Sequence, residues 1–113
     1  MIKTKNDAYY LEKIIFDLEF IIKNTKWLTQ REMESNELLI DSIMFRIIQI
    51  AENNAKLSDS FKADYPDIPW GAIKGMRNRI VHDYGDVSML IVYDTVINGI
   101  PEMYNLIKEK IRL

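Results

Sequence analysis

Apolar residues recur along this chain in steps of three and four. Between Asp7 and Lys23 the positions Tyr10, Leu11, Ile14, Ile15, Leu18, Ile21 and Ile22 fall on one side of a helical repeat, which predicts a first amphipathic helix. Asn24-Thr25-Lys26 interrupts the pattern. Thr29-Gln30-Arg31-Glu32 then has the spacing of a capping box, a hydroxyl three residues ahead of a carboxylate, and predicts a short helical turn. From Asn36 to Leu57 a second long helix is predicted, with Leu39, Ile40, Ile43, Met44, Ile47, Ile50, Ala51 and Ala55 along one face. Ser58-Asp59-Ser60 supplies caps for a brief helix reaching Tyr65. Pro66 removes a donor and restricts the residue before it, so Pro66-Asp67-Ile68-Pro69 is expected to be a turn.

Pro69 suits the first position of a third helix, whose apolar side is Trp70, Ile73, Met76, Ile80 and Val81. Gly71 and Gly75 would weaken that helix by roughly 1 kcal/mol each relative to alanine, so close approach of another backbone or a ligand is the expected reason for them. Gly85-Asp86 is expected to stop this helix and cap a fourth running through Leu90, Ile91, Val96, Ile97, Ile100, Met103, Tyr104, Ile107 and Ile111, kinked at Pro101. Period-two alternation is nowhere sustained, and no Asn-Gly or Asp-Gly hairpin joins two such runs. The chain therefore reads as all-α, an antiparallel bundle of four to five helices.

Its 113 residues suit a single domain, 1–113, with a modest core. Apolar residues at 48% and charged residues at 28% match an ordinary globule. Absence of cysteine removes disulfides and thiolate metal sites and gives no reason for an oxidising compartment. Met1-Ile2-Lys3-Thr4-Lys5 leads into a charged amphipathic stretch rather than an apolar one, so neither export nor a membrane is expected, and the cytoplasm is the natural location. A net charge of −2 opposes broad adhesion to phosphate backbone, so any nucleic-acid partner must be held locally. Lysine and arginine cluster once, at Lys74, Arg77 and Arg79.

His82 is the only histidine, and histidine changes most readily between acid and base near neutral pH. Arg77 and Arg79 beside it are planar cations that can hold phosphate by two bonds, and Asn78 and Tyr84 can orient a ring or a phosphate oxygen. On a regular helix Asn78 and His82 lie one turn apart and Arg77 and Tyr84 two turns apart, whereas Arg77 and His82 diverge by roughly 140°. One compact site then needs a helix ending near His82, a long arginine reach or a second chain, and the ending together with the second chain is the expectation. Metal-free RNA cleavage gives a chemical reason for that chain: it wants a base for the ribose 2′-hydroxyl, an acid for the leaving oxygen and cations for the phosphorane. A two-fold homodimer interface through the motif would bring two copies of His82 and Arg77 around one phosphate.

The run Arg77, four residues, His82, one residue, Tyr84 resembles the R-x4-H-x-Y signature of the HEPN superfamily, in particular the HepT-like toxins paired with MNT-type minimal nucleotidyltransferases. The flanks resemble it too, from Leu57-Ser58 through Tyr65-Pro66-Asp67-Ile68-Pro69-Trp70 to Gly75-Met76-Arg77-Asn78-Arg79-Ile80-Val81-His82. The resemblance implies an all-α HEPN-like homodimer that acts as a metal-independent endoribonuclease toxin on tRNA or mRNA and needs no cofactor. Arg77 and His82 would be catalytic, Asn78 and Arg79 supporting. Tyr84 matches the tyrosine that the cognate nucleotidyltransferase antitoxin modifies with AMP, silencing the toxin. One departure is Ile50-Ala51-Glu52-Asn53-Asn54-Ala55, with alanine and asparagines where the family shows Gly-Glu-Ala-Ala; Glu52 still matches.

Plainer readings stand beside these. A lone histidine at a helix end is commonly a solvated residue favoured by the dipole, and Arg77 and Arg79 can serve as counter-charges to Asp83 and Asp86. Tyr9, Tyr10, Tyr93 and Tyr104 are expected to pack by their rings with hydroxyls at the surface, and Glu32, Glu34 and Glu37 to form a solvated helix start. Trp70 is read as a core anchor under the motif, with stacking on a base as the lesser alternative. The rival function is a helical dimer that binds a nucleotidyltransferase without cutting RNA.

Overall fold

The computed structural model describes residues 5–111, so the N-terminal stretch read above as carrying no export signal lies, but for Lys5, outside the described residues. Helix α1 (Asp7–Thr25) begins where the Asn6 side chain accepts the Tyr9 amide at 3.0 Å. It ends before Trp27, which has φ 72° and is 88% exposed. That left-handed residue costs roughly 1 kcal/mol and turns the chain into α2 (Gln30–Glu34). The capping box read from the sequence is present: Thr29 Oγ1 accepts the Glu32 amide at 3.1 Å, and Glu32 returns the bond to the Thr29 amide at 2.9 Å. Hydrogen bonding of the ionised carboxylate by the Thr29 backbone amide, and next by the Thr29 side chain, holds the Glu32 carboxyl below its ordinary pKa.

Helix α3 (Glu37–Lys56) runs antiparallel to α1, since Lys56 lies over the Tyr10 ring at one end and Arg46 reaches Asp17 further along. Ile14, Leu18 and Ile21 of α1 and Ile43, Ile47 and Ile50 of α3 have no exposure, as the three-and-four spacing requires. Asp17 is buried, receives Arg46 Nη1 at 2.6 Å, and the guanidinium lies 3.9 Å from the Phe20 ring centre. Asp17→Ala should destabilise the fold by about 1–3 kcal/mol in a urea titration, because a partly buried cation loses its partner; an unchanged midpoint would mean that water replaces the carboxylate at no cost.

Helix α4 (Asp59–Asp64) starts at Ser58, whose Oγ accepts the Phe61 amide while donating to Asp7 at 2.7 Å. Hydrogen bonds from Ser58 hold the Asp7 carboxyl below its ordinary pKa. Helix α5 (Lys74–Asp83) begins later than the sequence suggests. Pro69 does not open it, and residues 69–73 form successive turns. The cause is tertiary: the Trp70 indole N–H donates to the Tyr65 carbonyl at 3.2 Å and the Trp70 carbonyl accepts Asn54 Nδ2 at 3.0 Å, which holds this segment outside a helix. Close approach of another backbone is not the reason for the glycines either, since a Cβ at Gly71 or Gly75 would meet nothing within 4 Å. Ile73, Met76 and Ile80 are buried as read, whereas Val81 is 48% exposed.

A 3-10 turn (Tyr84–Asp86) follows, and Ser88 rather than Asp86 caps α6 (Met89–Asp94), accepting the Ile91 amide at 3.4 Å. Leu90 and Ile91, placed on the buried side by periodicity, are exposed in this first turn. The expected disturbance at Pro101 takes the form of a π-helical turn (Thr95–Gly99) leading into α7 (Ile100–Lys110), with the Ile100 amide bonded to the Thr95 carbonyl. Widening the helix there relieves the clash between the proline ring and the carbonyl four residues back. This last helical run returns along α1, with the Tyr93 hydroxyl on the Leu28 carbonyl at 2.7 Å and the Tyr104 hydroxyl on Glu19 at 2.8 Å. Val92, Val96, Ile100 and Ile107 close the core from this side. The described residues thus form an all-helical antiparallel bundle, and none of its helices is long and apolar enough to cross a membrane.

Candidate active site

Helix α5 lies antiparallel along α3, which sets Arg77 opposite Glu52 and Tyr84 opposite Asp41. Arg77 places Nε at 2.8 Å and Nη2 at 2.7 Å from the same Glu52 oxygen, and its Nη1 donates to Asn78 Oδ1 at 3.0 Å. The guanidinium is thereby oriented and one-third exposed, with N–H groups left for an incoming oxyanion. Asn78 is thus a direct holder of Arg77, a role its place one turn from His82 did not suggest.

Arg77 and Asn78 line an open cleft of about 490 Å³ between α3 and the turns that precede α5. Glu52, Asn54, Trp70, Gly71, Lys62 and Lys74 complete most of its wall. His82 does not line this cleft. It stands exposed on the last turn of α5, with no hydrogen bond or ion pair among the described residues. The helix does end where a compact site would need it to, at Asp83, yet Arg77 turns inward to α3 and His82 outward. Arg79 is exposed and forms no ion pair among the described residues, so neither Asp83 nor Asp86 is its partner. Among the described residues no three His, Cys, Asp or Glu side chains come together as a metal-binding group.

Tyr84 is half exposed and its hydroxyl donates to Asp41 of α3. Burial of the hydroxyl, with the bond to Asp41 and its negative charge added, pushes its pKa up to about 12. Because the folded protein keeps this proton longer than the unfolded chain, the associated stability is complete below pH 10 and is lost as pH rises towards 12. In an ultraviolet titration Tyr84→Phe should remove the latest tyrosinate transition, and Asp41→Asn should shift it down only partly, since burial is the larger cause. A Tyr84 transition at the ordinary value of 10 would show that neither burial nor the bond to Asp41 holds its proton in solution.

Two residues here escaped sequence reading as site residues. Glu52 carried a signal only as a match within the α3 run. Asp41 carried none, since a lone acid on an exposed helix face looks like any other until α5 is laid beside it.

The whole of this frame, residues 14–110, matches the family model described as Ribonuclease HepT-like. A candidate RNase of Caldanaerobacter subterraneus subsp. tengcongensis is 29% identical over 105 residues, covering 93% of this chain and 94% of that protein. A candidate RNase of Methanocaldococcus jannaschii is 26% identical over 108 residues, covering 96% of this chain and 89% of its own. A candidate ribonuclease HepT of Thermococcus cleftensis is 31% identical over 99 residues, 83% of this chain and 86% of its own. No solved structure gives a significant match. A helical bundle that presents an oriented arginine and an exposed histidine at the end of one helix, matched along nearly its full length, belongs to the ribonuclease HepT-like family.

Proposed function

We propose that this ribonuclease is a metal-independent endonuclease whose site is completed by a second copy of the chain, and that it serves as the toxin of a toxin–antitoxin pair. The observation that carries the reading is the division of labour on α5, with Arg77 held at the cleft by Glu52 and Asn78 while His82 stands exposed at the helix end, outside the cleft and with no partner among the described residues. A second α5 across a two-fold axis supplies what one chain lacks. Exposed apolar side chains favour such a contact: α3 leaves Leu38 and Phe45 exposed two turns apart, and α5 leaves Val81 exposed.

In the cleavage step His82 of one chain takes the proton of the ribose 2′-hydroxyl, whose oxygen attacks the adjacent phosphorus. The 5′-oxygen leaves with a proton from the partner subunit's His82, giving a 2′,3′-cyclic phosphate and a 5′-hydroxyl. Arg77 holds the non-bridging oxygens, and its charge counts most when they become most negative. Arg79, exposed beside it, adds long-range attraction for the backbone.

Tyr84 is the off-switch in this reading. Its hydroxyl attacks the α-phosphorus of ATP in the site of a partner nucleotidyltransferase, pyrophosphate leaves, and Asp41 stands where it can accept the phenolic proton. An AMP group near Arg77 would add bulk and a competing phosphate. The test is RNA cleavage in EDTA, combined with the mass in solution and the intact mass after co-expression with the neighbouring nucleotidyltransferase. Cleavage by a dimer and a Tyr84-dependent gain of AMP are expected; activity lost in EDTA, or carried by a monomer, would overturn the mechanism. A dimer that cuts nothing and leaves growth untouched would favour the binding-module reading, to which the neutralisation of Arg77 by Glu52 lends support.

A further inference from the structure

We propose that the cleft beside Arg77 is a base-binding subsite of the ribonuclease, taking the nucleotide next to the cleaved phosphate and favouring a base with an exocyclic amino group over uracil. The proposal rests on the ribonuclease reading for its substrate class but concerns a part of the cleft that the catalytic motif does not use.

A cleft of about 490 Å³ falls within the roughly 300–1,000 Å³ of small-molecule sites, and its walls have the distribution a nucleotide needs. Trp70 supplies a fixed aromatic wall: its indole N–H is committed to Tyr65, its carbonyl to Asn54, and its ring rests against Phe61 at 6.0 Å, yet the residue stays partly exposed. Stacking on such a ring is how proteins hold unpaired RNA bases. Gly71 next to it leaves the space in front open, since a Cβ there would meet nothing within 4 Å. This gives the glycine a reason that neither a helix nor a backbone contact supplies.

Phosphate attraction lies at one rim. Lys74 and Arg77 line the cleft with Lys62, against the single acid Glu52, and α5 begins here with no side-chain cap and no acid in its first turn. Hydrogen-bonding preference comes from the remaining polar groups. Asn54 is 4% exposed and lines the cleft; its Nδ2 is spent on the Trp70 carbonyl, and its Oδ1 is buried with no partner among the described residues. The Glu52 oxygen not used by Arg77 is a second acceptor. Acceptors select donors, and adenine and cytosine present an amino group where uracil presents its O4 carbonyl, while guanine presents one at C2; uracil has only its ring N–H to offer. An unsatisfied buried acceptor is costly enough that a ligand donor reaching it gains both the bond and relief of that cost.

The experiment uses a Trp27→Phe background, in which Trp70 is the only tryptophan. Its fluorescence is titrated with 2′-O-methyl hexanucleotides of adenine, cytosine or uracil, which lack the attacking hydroxyl and cannot be cut. The adenine and cytosine hexamers are expected to quench Trp70 and bind at least about ten-fold tighter than the uracil hexamer. Gly71→Leu and, from the opposite wall, Ala55→Leu should each weaken that binding about ten-fold at an unchanged melting temperature, whereas His82→Ala should not. Equal binding of the three hexamers, or undiminished binding by whichever cleft-filling variant folds, would overturn the subsite. A wild-type protein that binds with the stated preference but never cuts RNA would instead overturn the ribonuclease mechanism and leave the subsite standing.

Discussion

Replacing His82 with alanine should lower the rate of RNA cleavage by about 10²–10⁴-fold, the usual worth of a positioned acid or base. The effect should be on turnover rather than substrate affinity, because in the proposed mechanism the imidazole moves protons and does not hold the backbone. His82 is exposed and bonded to nothing among the described residues, so the same variant should unfold within about 0.5 kcal/mol of wild type. Arg77→Ala should cost about 10²–10³-fold through loss of charge stabilisation on the phosphorane. Arg77→Lys should restore little of it, since the three N–H groups of an ammonium cannot replace the three bonds to Glu52 and Asn78 and still offer a two-bond fork to phosphate. Rates within three-fold of wild type for His82→Ala would remove it from the chemistry and pass the acid and base roles to other groups.

Ile47→Ala should have the largest effect on stability. Ile47 has no exposure and lies among fully buried side chains of α1 and α3. Truncating such a residue costs about 2–5 kcal/mol, from lost transfer energy and the cavity left behind, against a total of about 5–15 kcal/mol for a domain. A drop in melting temperature on the order of 10 °C is expected by calorimetry. Cleavage measured well below the transition should be nearly unchanged, because Ile47 does not line the cleft. A cost below about 1 kcal/mol would mean that the α1–α3 seam collapses around the deletion.

Reading helices from periodicity succeeded where one face of a helix is buried along its whole length. Helices α1 and α3 show their apolar stripes in the chain, and the capping box ahead of α2 depends on two residues three apart. It failed at ends and edges. Helix α5 starts at Lys74 because Asn54 and Tyr65, distant in the chain, claim the polar groups of Trp70. Val81, Leu90 and Ile91 fit an apolar period but lie where the bundle has no layer to cover them. Periodicity reports which residues share a face, not whether another element meets it.

The motif itself was legible because the chain's one histidine stands close to two other polar side chains, a tyrosine two residues on and an arginine five before. Together with the flanks from Leu57 to Trp70 they carried the resemblance to the family, and they marked the helix on which the site is proposed. Only the tertiary structure decided what each group faces. Antiparallel packing of α5 on α3 gives Arg77 its carboxylate, gives Tyr84 its acceptor in Asp41, and leaves His82 exposed outside the cleft. The physical reason is that side-chain direction along one helix follows from sequence spacing, whereas hydrogen-bond partners, burial and charge environment depend on the helix laid beside it.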